Sequence, residues 1–544
     1  MSDMTSMRET RRSADIPEIS VYELFKLSVD RYPDQIALLF LDNEITYREF
    51  DRLINRFASL LIDMGVKKGD IICPMLPPCP QHWIAFFAAA KIGAISAPLN
   101  VMYKEQEISY QITDCGAKTV IILDVFYPYF AKLKDQLGIQ NIVVTNIKDY
   151  ASKDFKVYPA LRAYWDHPKT KLENAIDFLD GTQSRDPSQV SATFKPKEDV
   201  VKIIYTSGTS GHSKGALETH YNIVHNTITH SQLLPGPKAI NFTFLPMNHT
   251  GGYMAFQLPT FHRGGTVIPR PMFDPEDTYE AIQKQKVNTL FGPPTFYLAL
   301  LSHPKFSQYD LSSLTFVSAG AAPVSDALMT AWKERTGTTL SAGWGMTETN
   351  TMGTWSRLKN KQKPLSEGVP FIGEIKIVDE EGNVAPRGRV GEILFRGLQV
   401  SKGYFNKLEE TRATFQQDGW MRTGDAGYID EDDFLHYADR IKDLIIASGY
   451  NIAPTEVERT ILQHPAVKDV AVVGWPDEYR GETVKAFAVI ADEFKEKITD
   501  QDIIEFCRTK ISSFKVPTTV EFINELPRNA MGKTLRRVLR DKAR

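Results

Sequence analysis

The spacing of apolar positions in the first part of the chain predicts helices that alternate with short buried strands. The segment TYREFDRLINRFASLLIDMG begins with the capping-box pair Thr46 and Glu49 and ends at Gly65. Its apolar residues fall at the helical period: Phe50, Leu53, Phe57, Leu60, Leu61 and Met64. Continuous apolar runs follow, as in buried strands: IICPML from Ile71, VIIL from Val120 and NIVVT from Asn141. Helix-length segments separate these runs, so the pattern predicts α/β layers with mostly parallel sheets.

The pattern changes in the middle of the chain. Residues 150–196 are polar and irregular, which indicates a surface insertion. A second alternating block runs from about 197 to 340. Residues 370–440 then turn to short strands and tight turns, which favours a small antiparallel barrel or sheet.

The last hundred residues have a third pattern, which begins after Arg440. It combines helix starts at Pro454 and Thr499 with the apolar runs DVAVVGW and VKAFAVIA and a strand near Val520. This indicates a small α+β unit. We therefore expect a large N-terminal domain of layered α/β sheets with a β-barrel-like subdomain (1–440), followed by a small α+β domain (441–544).

Composition supports a multidomain globular protein. A chain of 544 residues is too long for one compact core. The net charge of −3 and the pI near 6.4 argue against a general surface for nucleic acid or anionic membranes. The cysteines show no CxxC spacing, so we expect reduced core thiols and no structural zinc: Cys73, Cys79, Cys115 and Cys507.

Targeting and membrane signals are weak. The N-terminal segment MSDMTSMRETRRSADIPEIS has no apolar region of the secretory type. The most apolar stretch, WIAFFAAAKIGAISAPL from Trp83, contains Lys91 and is too short to cross a bilayer, so a buried helix followed by a strand accounts for it better. We expect a cytoplasmic protein without a transmembrane segment, while loose association with a membrane surface stays open.

The loop YTSGTSGHSKGA (205–216) is the first candidate for chemistry. It follows an apolar run that predicts a strand and precedes a predicted helix after Glu218. Glycines let backbone N–H groups turn inward and a lysine adds charge, so such a loop is suited to phosphate. The Walker pattern fails, because Ser213 precedes Lys214 and Gly215 follows it. A flexible surface linker is the alternative that the loop alone leaves open.

Four further stretches change this picture: GWGMTET (343–349), MRTGDAGYID (421–430), DRIKDLIIASGYNIAPTEVE (439–458) and LPRNAMGKTLRRVLR (526–540). With the loop, and in this order, they resemble the adenylate-forming superfamily of acyl-CoA synthetases, peptide-synthetase adenylation domains and luciferases. The resemblance runs from about residue 20 to Lys533 and is closest to medium- and long-chain fatty acyl-CoA synthetases. It implies that the C-terminal domain is mobile and rotates about a hinge at Lys442.

The resemblance also implies a nucleotide site. The glycine loop closes over the β- and γ-phosphates of ATP, and SAGAAP (318–323) and Trp344 flank adenine. Thr347 contacts the α-phosphate, Asp425 accepts from the ribose hydroxyls, and Arg440 meets ribose or phosphate. The residues assigned to ATP or AMP are Thr206, Ser207, Gly208, Thr209, Ser210, Gly211, Lys214, Gly320, Ala321, Ala322, Gly343, Trp344, Gly345, Met346, Thr347, Asp425, Arg440 and Lys533.

Catalytic, metal and acid-binding roles follow from the same resemblance. Glu348 and Thr206 would bind Mg²⁺, a cation that prefers oxygen ligands. The catalytic set comprises Lys533, Glu348, Thr206, His249 and Arg440. The acyl pocket is assigned to His249, Gly252, Tyr253, Met254, Gly292 and Pro293. Coenzyme A would pass along Ser448, Gly449 and Tyr450.

The implied activity is that of an ATP-dependent acid–CoA ligase. A carboxylate attacks the α-phosphorus of ATP to give acyl-AMP and pyrophosphate, and the thiol of CoA then takes the acyl group and releases AMP. A carboxylate is ionised at neutral pH, so no general base is needed. The uncharged stretch HTGGYMAF favours an apolar tail and hence a medium- or long-chain fatty acid. Aryl acids such as coumarate or benzoate are the alternative.

Three other classes of protein are alternatives to this assignment. A peptide-synthetase module would carry a carrier domain with a Gly-Gly-x-Ser motif, which does not follow Lys533. A luciferase-like oxidoreductase shares the scaffold and is not excluded by motif, although the ending Ser-Lys-Leu is absent. Retention of Lys533, Glu348 and Asp425 argues against a non-catalytic nucleotide-binding protein. The expected partners are therefore a carboxylic acid, ATP and CoA, without nucleic acid, and a homodimer stays open.

Overall fold

The computed structural model describes residues 16–543, apart from 171, 207–212, 323, 357–362, 364–365, 448–449, 478, 496 and 529–533. Up to Ala342 it alternates strands and helices, which confirms the α/β class expected from the periodicity. The strands of this part are β1 (Ile36–Phe40), β2 (Asn43–Thr46), β3 (Ile71–Met75), β4 (Ile95–Ser96), β5 (Thr119–Leu123), β6 (Asn141–Thr145), β7 (Ile176–Asp177), β8 (Val200–Tyr205), β9 (Gly215–Thr219), β10 (Ile240–Thr243), β11 (Thr266–Pro269), β12 (Thr289–Gly292), β13 (Phe316–Ala319) and β14 (Leu340–Ala342). The helices are α1 (Val21–Arg31), α2 (Tyr47–Asp63), α3 (Pro80–Ile92), α4 (Glu105–Cys115), α5 (Tyr127–Leu133), α6 (Arg162–Trp165), α7 (Phe178–Gln183), α8 (His220–Ser231), α9 (Gln257–His262), α10 (Pro275–Gln285), α11 (Pro294–Ser302) and α12 (Asp326–Thr336).

These strands form two large sheets within the described residues. One has the order β14-β13-β12-β10-β11-β1-β2 and the other β7-β6-β5-β3-β4-β8-β9. Both are parallel except at one edge, where β2 pairs antiparallel with β1 and β9 with β8. Parallel sheets must be covered on both faces, and the intervening helices supply that cover.

Helix α2 begins where the sequence predicts. The Thr46 hydroxyl accepts a hydrogen bond from the N–H of Glu49, which caps the helix. The Glu49 carboxylate pairs with Arg52 and does not complete the predicted capping box. The Thr46 hydroxyl alone therefore caps the helix through its side chain. The apolar stripe is buried at Phe50, Leu53, Phe57, Leu60 and Leu61.

Residues 150–196 are only in part the predicted surface insertion. Strand β7 extends the sheet beside β6, and α7 packs against α2. The Phe178 ring at the start of α7 is fully buried and stacks on Phe57, with the ring centroids 4.5 Å apart. A few apolar residues in this polar segment therefore form part of the core. The average composition of the segment did not indicate them.

The glycine loop joins two strands, and not a strand and a helix as the sequence suggested. Strand β9 lies between the loop and α8, and it pairs with β8 from Tyr205 opposite Gly215. The N–H of Thr206 donates to the carbonyl of Lys214 at 2.9 Å, which fixes the two ends of the loop next to each other.

The remaining chain forms smaller sheets. Its strands are β15 (Thr354–Trp355), β16 (Val369–Pro370), β17 (Glu374–Val378), β18 (Gly391–Arg396), β19 (Met421–Ile429), β20 (Leu435–Arg440), β21 (Ile445–Ala447), β22 (Tyr450–Ile452), β23 (Val467–Asp477), β24 (Gly481–Ile490) and β25 (Thr519–Phe522). Its helices are α13 (Leu408–Thr414), α14 (Pro454–Ile461), α15 (Asp500–Arg508) and α16 (Arg536–Arg540). The sequence predicted either a small antiparallel barrel or a sheet for residues 370–440. Strands β17 to β20 form the sheet, which is open because β17 and β20 are its two edges.

The segment after Arg440 is the predicted α+β unit. Strands β21 to β24 are antiparallel, β25 joins β24 in parallel, and α14 and α15 pack together. In the described part of the chain, no helix is long and apolar enough to span a membrane. The stretch from Trp83 is the buried helix α3 followed by β4.

Candidate active site

A cavity of about 1250 Å³ lies at the carboxyl ends of β12, β13 and β14. Ligands of α/β proteins bind at this edge, because loops leave the strands there. The loops from these strands meet residues of β8, of helix α4 and of the smaller antiparallel sheet. The sequence-assigned residues that line it are Thr206, Lys214, His249, Gly320, Ala321, Gly343, Trp344, Gly345, Met346, Thr347, Glu348 and Arg440.

The segment after β14 lies close to the backbone of residues 351–354, which requires glycine. A Cβ added to Gly345 would lie 1.8 Å from the carbonyl oxygen of Thr351. One added to Gly343 would lie 2.5 Å from that of Thr354. The glycines of GWGMTET therefore let the backbone fold tightly and carry Trp344 to the cavity wall. Ala322 follows the lining residue Ala321 but does not itself line the cavity.

Trp344 and Asp425 are joined by a hydrogen bond. The indole Nε1 donates to Asp425 Oδ2 at 2.9 Å, and both residues are buried. The other carboxylate oxygen, Oδ1, lies 2.6 Å from Nε of Arg440. Asp425 therefore contacts protein groups through both oxygens and does not line the cavity. Its role toward ribose stays a prediction, and it would require these contacts to rearrange.

Glu348 lies in a short turn at the cavity wall. It is 6% exposed, and its Oε1 accepts from the Tyr404 hydroxyl at 2.6 Å. Burial and the neighbouring Glu348 raise the pKa of Tyr404, so this hydroxyl keeps its proton. The Lys214 ammonium lies 5.2 Å from the centroid of the Tyr404 ring. A carboxylate on a cavity wall beside a lysine is a donor set that fits a hard cation bound together with phosphate.

Tyr404 was missed by sequence reasoning. It lies in SKGYFNKLEET, where a lone tyrosine between a glycine and a phenylalanine gives no chemical signal. Its approach to Glu348 joins positions 56 residues apart in the chain. Only the tertiary structure brings them together.

Helix α4 also contributes to the cavity, which the sequence did not indicate. The Tyr205 hydroxyl donates to Asp114 Oδ2 at 2.6 Å, and the Tyr110 hydroxyl donates to the carbonyl of Ser213 at 2.8 Å. Tyr205 precedes the glycine loop and Ser213 follows its centre, so one helix contacts both ends of the loop. The loop residues Ser207, Gly208, Thr209, Ser210 and Gly211 lie outside the described residues.

The residues predicted to form the acyl pocket lie partly on the cavity wall and partly in the protein core. His249 lines the cavity, and its Nδ1 accepts from the N–H of Gly251 at 3.1 Å. Tyr253 and Met254 are fully buried behind the wall. A Cβ on Gly252 would lie 2.1 Å from the carbonyl oxygen of Pro246, so this glycine serves close backbone packing.

The other two predicted pocket residues, Gly292 and Pro293, do not line the cavity either. A Cβ on Gly292 would lie 2.7 Å from the Phe296 ring, so the end of β12 is packed against the following helix, α11. Apolar side chains outside the set assigned to the acyl pocket line the cavity: Phe291, Ala319, Ala342, Met352 and Trp355. The apolar character that we predicted is present, but other residues supply it.

The chain directly after β20 forms a short helical turn. Lys442 lies in the 3-10 turn Ile441–Asp443, directly after the cavity residue Arg440. The Lys442 carbonyl accepts from Arg540 at 3.4 Å, and Arg540 also pairs with Asp443. The predicted residues Ser448, Gly449 and Lys533 lie outside the described residues, and Tyr450 begins β22.

The cysteines are buried and free of disulfides. The sulfur atoms of Cys73 and Cys115 are 3.8 Å apart. Within the described ranges, no group of three or more His, Cys, Asp or Glu side chains is arranged to bind a metal ion.

Comparison with known proteins identifies matching families and relatives. The model of the AMP-binding enzyme family matches residues 25–405, and that of the AMP-binding enzyme C-terminal domain matches residues 456–533. A long-chain-fatty-acid–CoA ligase of Bacillus subtilis strain 168 is 34% identical over 533 residues, covering 96% of this chain and 94% of that protein.

Two solved structures are also similar. ATP-bound MatB from Rhodopseudomonas palustris is 28% identical with a TM-score of 0.86, covering 96% of this chain and 99% of that one. The anthranilate CoA ligase AuaEII in complex with anthranoyl-AMP is likewise 28% identical with a TM-score of 0.86, covering 98% of this chain and 99% of that one.

Proposed function

Because the chain belongs to the AMP-binding enzyme family and is an AMP-forming acyl-CoA ligase, we propose that its acid is a medium- or long-chain fatty acid. The observation that carries this proposal is the apolar wall next to His249. Phe291, Met352 and Trp355 line the cavity there and offer no charged group to a second carboxylate or an amine. The name of the Bacillus subtilis relative supports the same class of acid.

An aryl acid is the second candidate. The wall at this end is aromatic at Phe291 and Trp355, and a planar ring stacks well on such side chains. The structural similarity to an anthranilate CoA ligase favours this alternative. Chain length separates the two candidates, since an aliphatic tail gains affinity with each CH₂ and a single ring does not.

The first step of the proposed mechanism is attack of the acid's carboxylate on the α-phosphorus of ATP. The Tyr404 hydroxyl fixes one oxygen of Glu348, so the carboxylate is held at the cavity wall. Lys214 and Arg440 supply positive charge along the same wall, and we assign Lys533 to charge stabilisation while acyl-AMP forms. Mg²⁺, held by Glu348 and Thr206, would neutralise charge on the departing pyrophosphate.

The second step is attack of the CoA thiol on the acyl-adenylate, with AMP as the leaving group. We assign passage of the pantetheine arm to Ser448, Gly449 and Tyr450. Movement of the C-terminal domain (441–544) against the N-terminal domain (1–440) about Lys442 would replace Lys533 by this segment. These assignments follow the family resemblance, and the chemistry requires no general base because the acid is already ionised.

The test is pyrophosphate exchange and thioester formation across a panel of even-numbered fatty acids, benzoate, coumarate, acetate and amino acids. We expect kcat/KM to rise over several fatty acids by roughly fourfold per added CH₂, from about 0.8 kcal/mol of burial each. Acetate should be poor. Highest activity on acetate or on an amino acid would reject the proposal, and highest activity on benzoate or coumarate would establish the aryl alternative.

A further inference from the structure

The turn that carries Glu348 ends in unusual backbone geometry. Residues Thr347–Thr349 form one 3-10 turn, and the next two residues, Asn350 and Thr351, have φ of 52° and 95°. Side chains other than glycine rarely adopt positive φ, and such conformations persist only where the surroundings fix them. The surroundings of this turn therefore bear on the position of Glu348.

Asn350 connects the turn to the protein interior. It is fully buried, and its N–H donates to the carbonyl of Thr347 at 2.9 Å. Its own carbonyl accepts from the Asn226 side chain of α8. Its side-chain oxygen Oδ1 lies 3.3 Å from the Tyr253 hydroxyl. Two separate segments, the one with Asn226 and the one with Tyr253, therefore contact the turn from the protein interior.

Tyr253 extends this contact to the sheet edge. Its hydroxyl is also hydrogen-bonded to Oε2 of Glu218 on β9. Glu218 lies opposite Lys202 on β8 in the antiparallel register. The Lys202 ammonium lies 3.6 Å from the centroid of the Tyr253 ring and 4.7 Å from that of Phe86. Lys202, Glu218 and Tyr253 are all fully buried.

The Tyr253 hydroxyl is the centre of this network. It donates to Oε2 of Glu218, and Oδ1 of Asn350 is a second acceptor within its reach at 3.3 Å. Burial raises the pKa of Tyr253 well above its usual value, so the hydroxyl keeps the proton that it donates. Burial also raises the pKa of Glu218, which lowers the cost of keeping this carboxyl in the interior.

Lys202 lies beside the network, over the Tyr253 ring. Burial lowers its pKa, while Glu218 acts in the opposite direction. A lowered lysine pKa beside a raised carboxyl pKa reduces the cost of burying the two groups. The network is therefore a connected set of buried polar groups with one end on the Glu348 turn.

We propose that Glu218, Tyr253 and Asn350 are positioning residues for adenylation, which hold the Thr347–Glu348 turn at the cavity wall. None of the three lines the cavity, and they act through the backbone of the turn. This inference rests on the proposed role of Glu348 toward metal-bound ATP. A shift of a catalytic carboxylate by about 1 Å is enough to impair positioning, so loss of the network should affect ATP and spare the acid.

The test compares ATP affinity with and without the metal, by calorimetric titration of the full chain in Mg²⁺ and in EDTA. The variants are Tyr253→Phe, Glu218→Leu and Glu218→Gln. We expect Tyr253→Phe and Glu218→Leu to lower the Mg²⁺-dependent gain in affinity by roughly five- to tenfold, the value of one hydrogen bond. Glu218→Gln should retain the gain, because its amide oxygen still accepts from the Tyr253 hydroxyl.

Tyr279→Phe is the matched control. Tyr279 is also fully buried, and its hydroxyl donates to the carbonyl of Leu300 at 2.6 Å, away from the cavity. Tyr279→Phe should lower the unfolding temperature of the protein and leave the Mg²⁺-dependent gain in ATP affinity unchanged. If the gain is unchanged in Tyr253→Phe and Glu218→Leu, or falls equally in Tyr279→Phe, the inference is wrong. If Tyr253→Phe does not fold, the test is the difference in Mg²⁺-dependent ATP affinity between Glu218→Leu and Glu218→Gln. Equal gains in these two variants would contradict the inference.

Failure of the proposed function is distinguishable from failure of this inference. The titration needs no acid, so it reports on the turn whichever acid is the substrate. With the acid panel, the same variants should raise KM for ATP and leave KM for the acid unchanged. A parent enzyme inactive on fatty acids would remove only the substrate assignment.

Discussion

Arg536 and Asp439 form an ion pair that joins the last helix, α16, to the last residues of β20. Nη1 of Arg536 lies 3.0 Å from Oδ1 of Asp439, and the Asp439 side chain is fully buried. Nη2 of the same guanidinium lies 2.8 Å from Glu458 on α14. Arg536 therefore contacts residues on both sides of the segment that contains Lys442, and it joins α14 and α16 to β20.

Arg536→Met should destabilise the protein. Removing one partner of a buried ion pair leaves uncompensated carboxylates, which costs about 3–5 kcal/mol. The measurement is urea unfolding followed by circular dichroism. Arg537→Met is the control, because the Arg537 side chain is 68% exposed and its loss should change stability by less than about 0.5 kcal/mol. Equal stability of the two variants would contradict the structural role given to Arg536.

The same variant should show a specific pH dependence. Burial raises the pKa of Asp439 to about 6 from an ordinary value near 3.8, and Arg536 opposes that shift. Between these values the folded state holds a proton that the unfolded state has lost, so this carboxyl's contribution to stability falls as pH rises. Without Arg536 the fall should extend above pH 6. The stability difference between parent and Arg536→Met should therefore be larger at pH 8 than at pH 5.

Sequence reasoning located the parts of the site that lie within single segments. Trp344, Thr347 and Glu348 share one loop after β14, so a local motif is enough to bring them to one wall. Contacts between distant segments were not visible. The pairing of Glu348 with Tyr404 depends on how the small antiparallel sheet packs against the large ones.

The residues predicted to form the acyl pocket also show what the sequence alone could not reveal. The segment around Tyr253 was apolar as expected, but its period did not reveal which side chains face the core. Gly252 packs against the Pro246 carbonyl, and this turns Tyr253 inward toward Glu218. Trp355 lines the cavity from a two-residue strand that no periodicity could indicate.

Trp355 should limit the length of the acyl chain. It lines the cavity and packs against Phe316, with ring centroids 4.7 Å apart. Trp355→Leu should enlarge the apolar end and move the optimum of kcat/KM to a longer fatty acid. The gain should be roughly fourfold for each CH₂ that the new space buries. The measurement is thioester formation across even-numbered acids.

Trp332→Leu is the control for this experiment. Trp332 is also fully buried, but it is a core-facing residue of α12 and does not line the cavity. Both variants should lose stability, and only Trp355→Leu should change the chain-length profile. An unchanged optimum in a folded Trp355→Leu enzyme would show that another side chain closes the pocket.

Glu348→Gln should weaken metal-dependent ATP binding and reduce adenylation by about 10²–10³, as for loss of one preorganised charged group. Tyr404→Phe removes the hydrogen bond to Oε1 of Glu348 and leaves the carboxylate itself, so its effect should be smaller and confined to ATP. Activity should return with Mg²⁺ or Mn²⁺ after EDTA treatment and be insensitive to zinc-selective chelators. Stoichiometric zinc in the purified protein, or full activity of Glu348→Gln, would contradict the assignment.

The two half-reactions should fail separately in two further variants. Lys533 and Gly449 lie outside the described residues, and their roles follow from the family resemblance. Lys533→Ala should form acyl-AMP about 10²–10³ times more slowly, because a stabilising charge is lost in that step alone. It should still convert supplied acyl-AMP and CoA to the thioester. Pyrophosphate exchange measures the first step, and thioester formation from synthetic acyl-AMP measures the second.

Gly449→Leu should show the opposite defect. A leucine side chain would obstruct the pantetheine arm and leave the ATP site intact, so acyl-AMP should form at a near-normal rate and accumulate. Lys442→Pro should resemble it, because proline fixes φ and opposes a change of backbone conformation at the hinge. Lys402→Ala is a control, since its ammonium contacts the carbonyl of Glu198 on the surface and should affect neither step. If folded Lys533→Ala and Gly449→Leu enzymes lose both steps equally, alternation between two domain orientations does not operate in this protein.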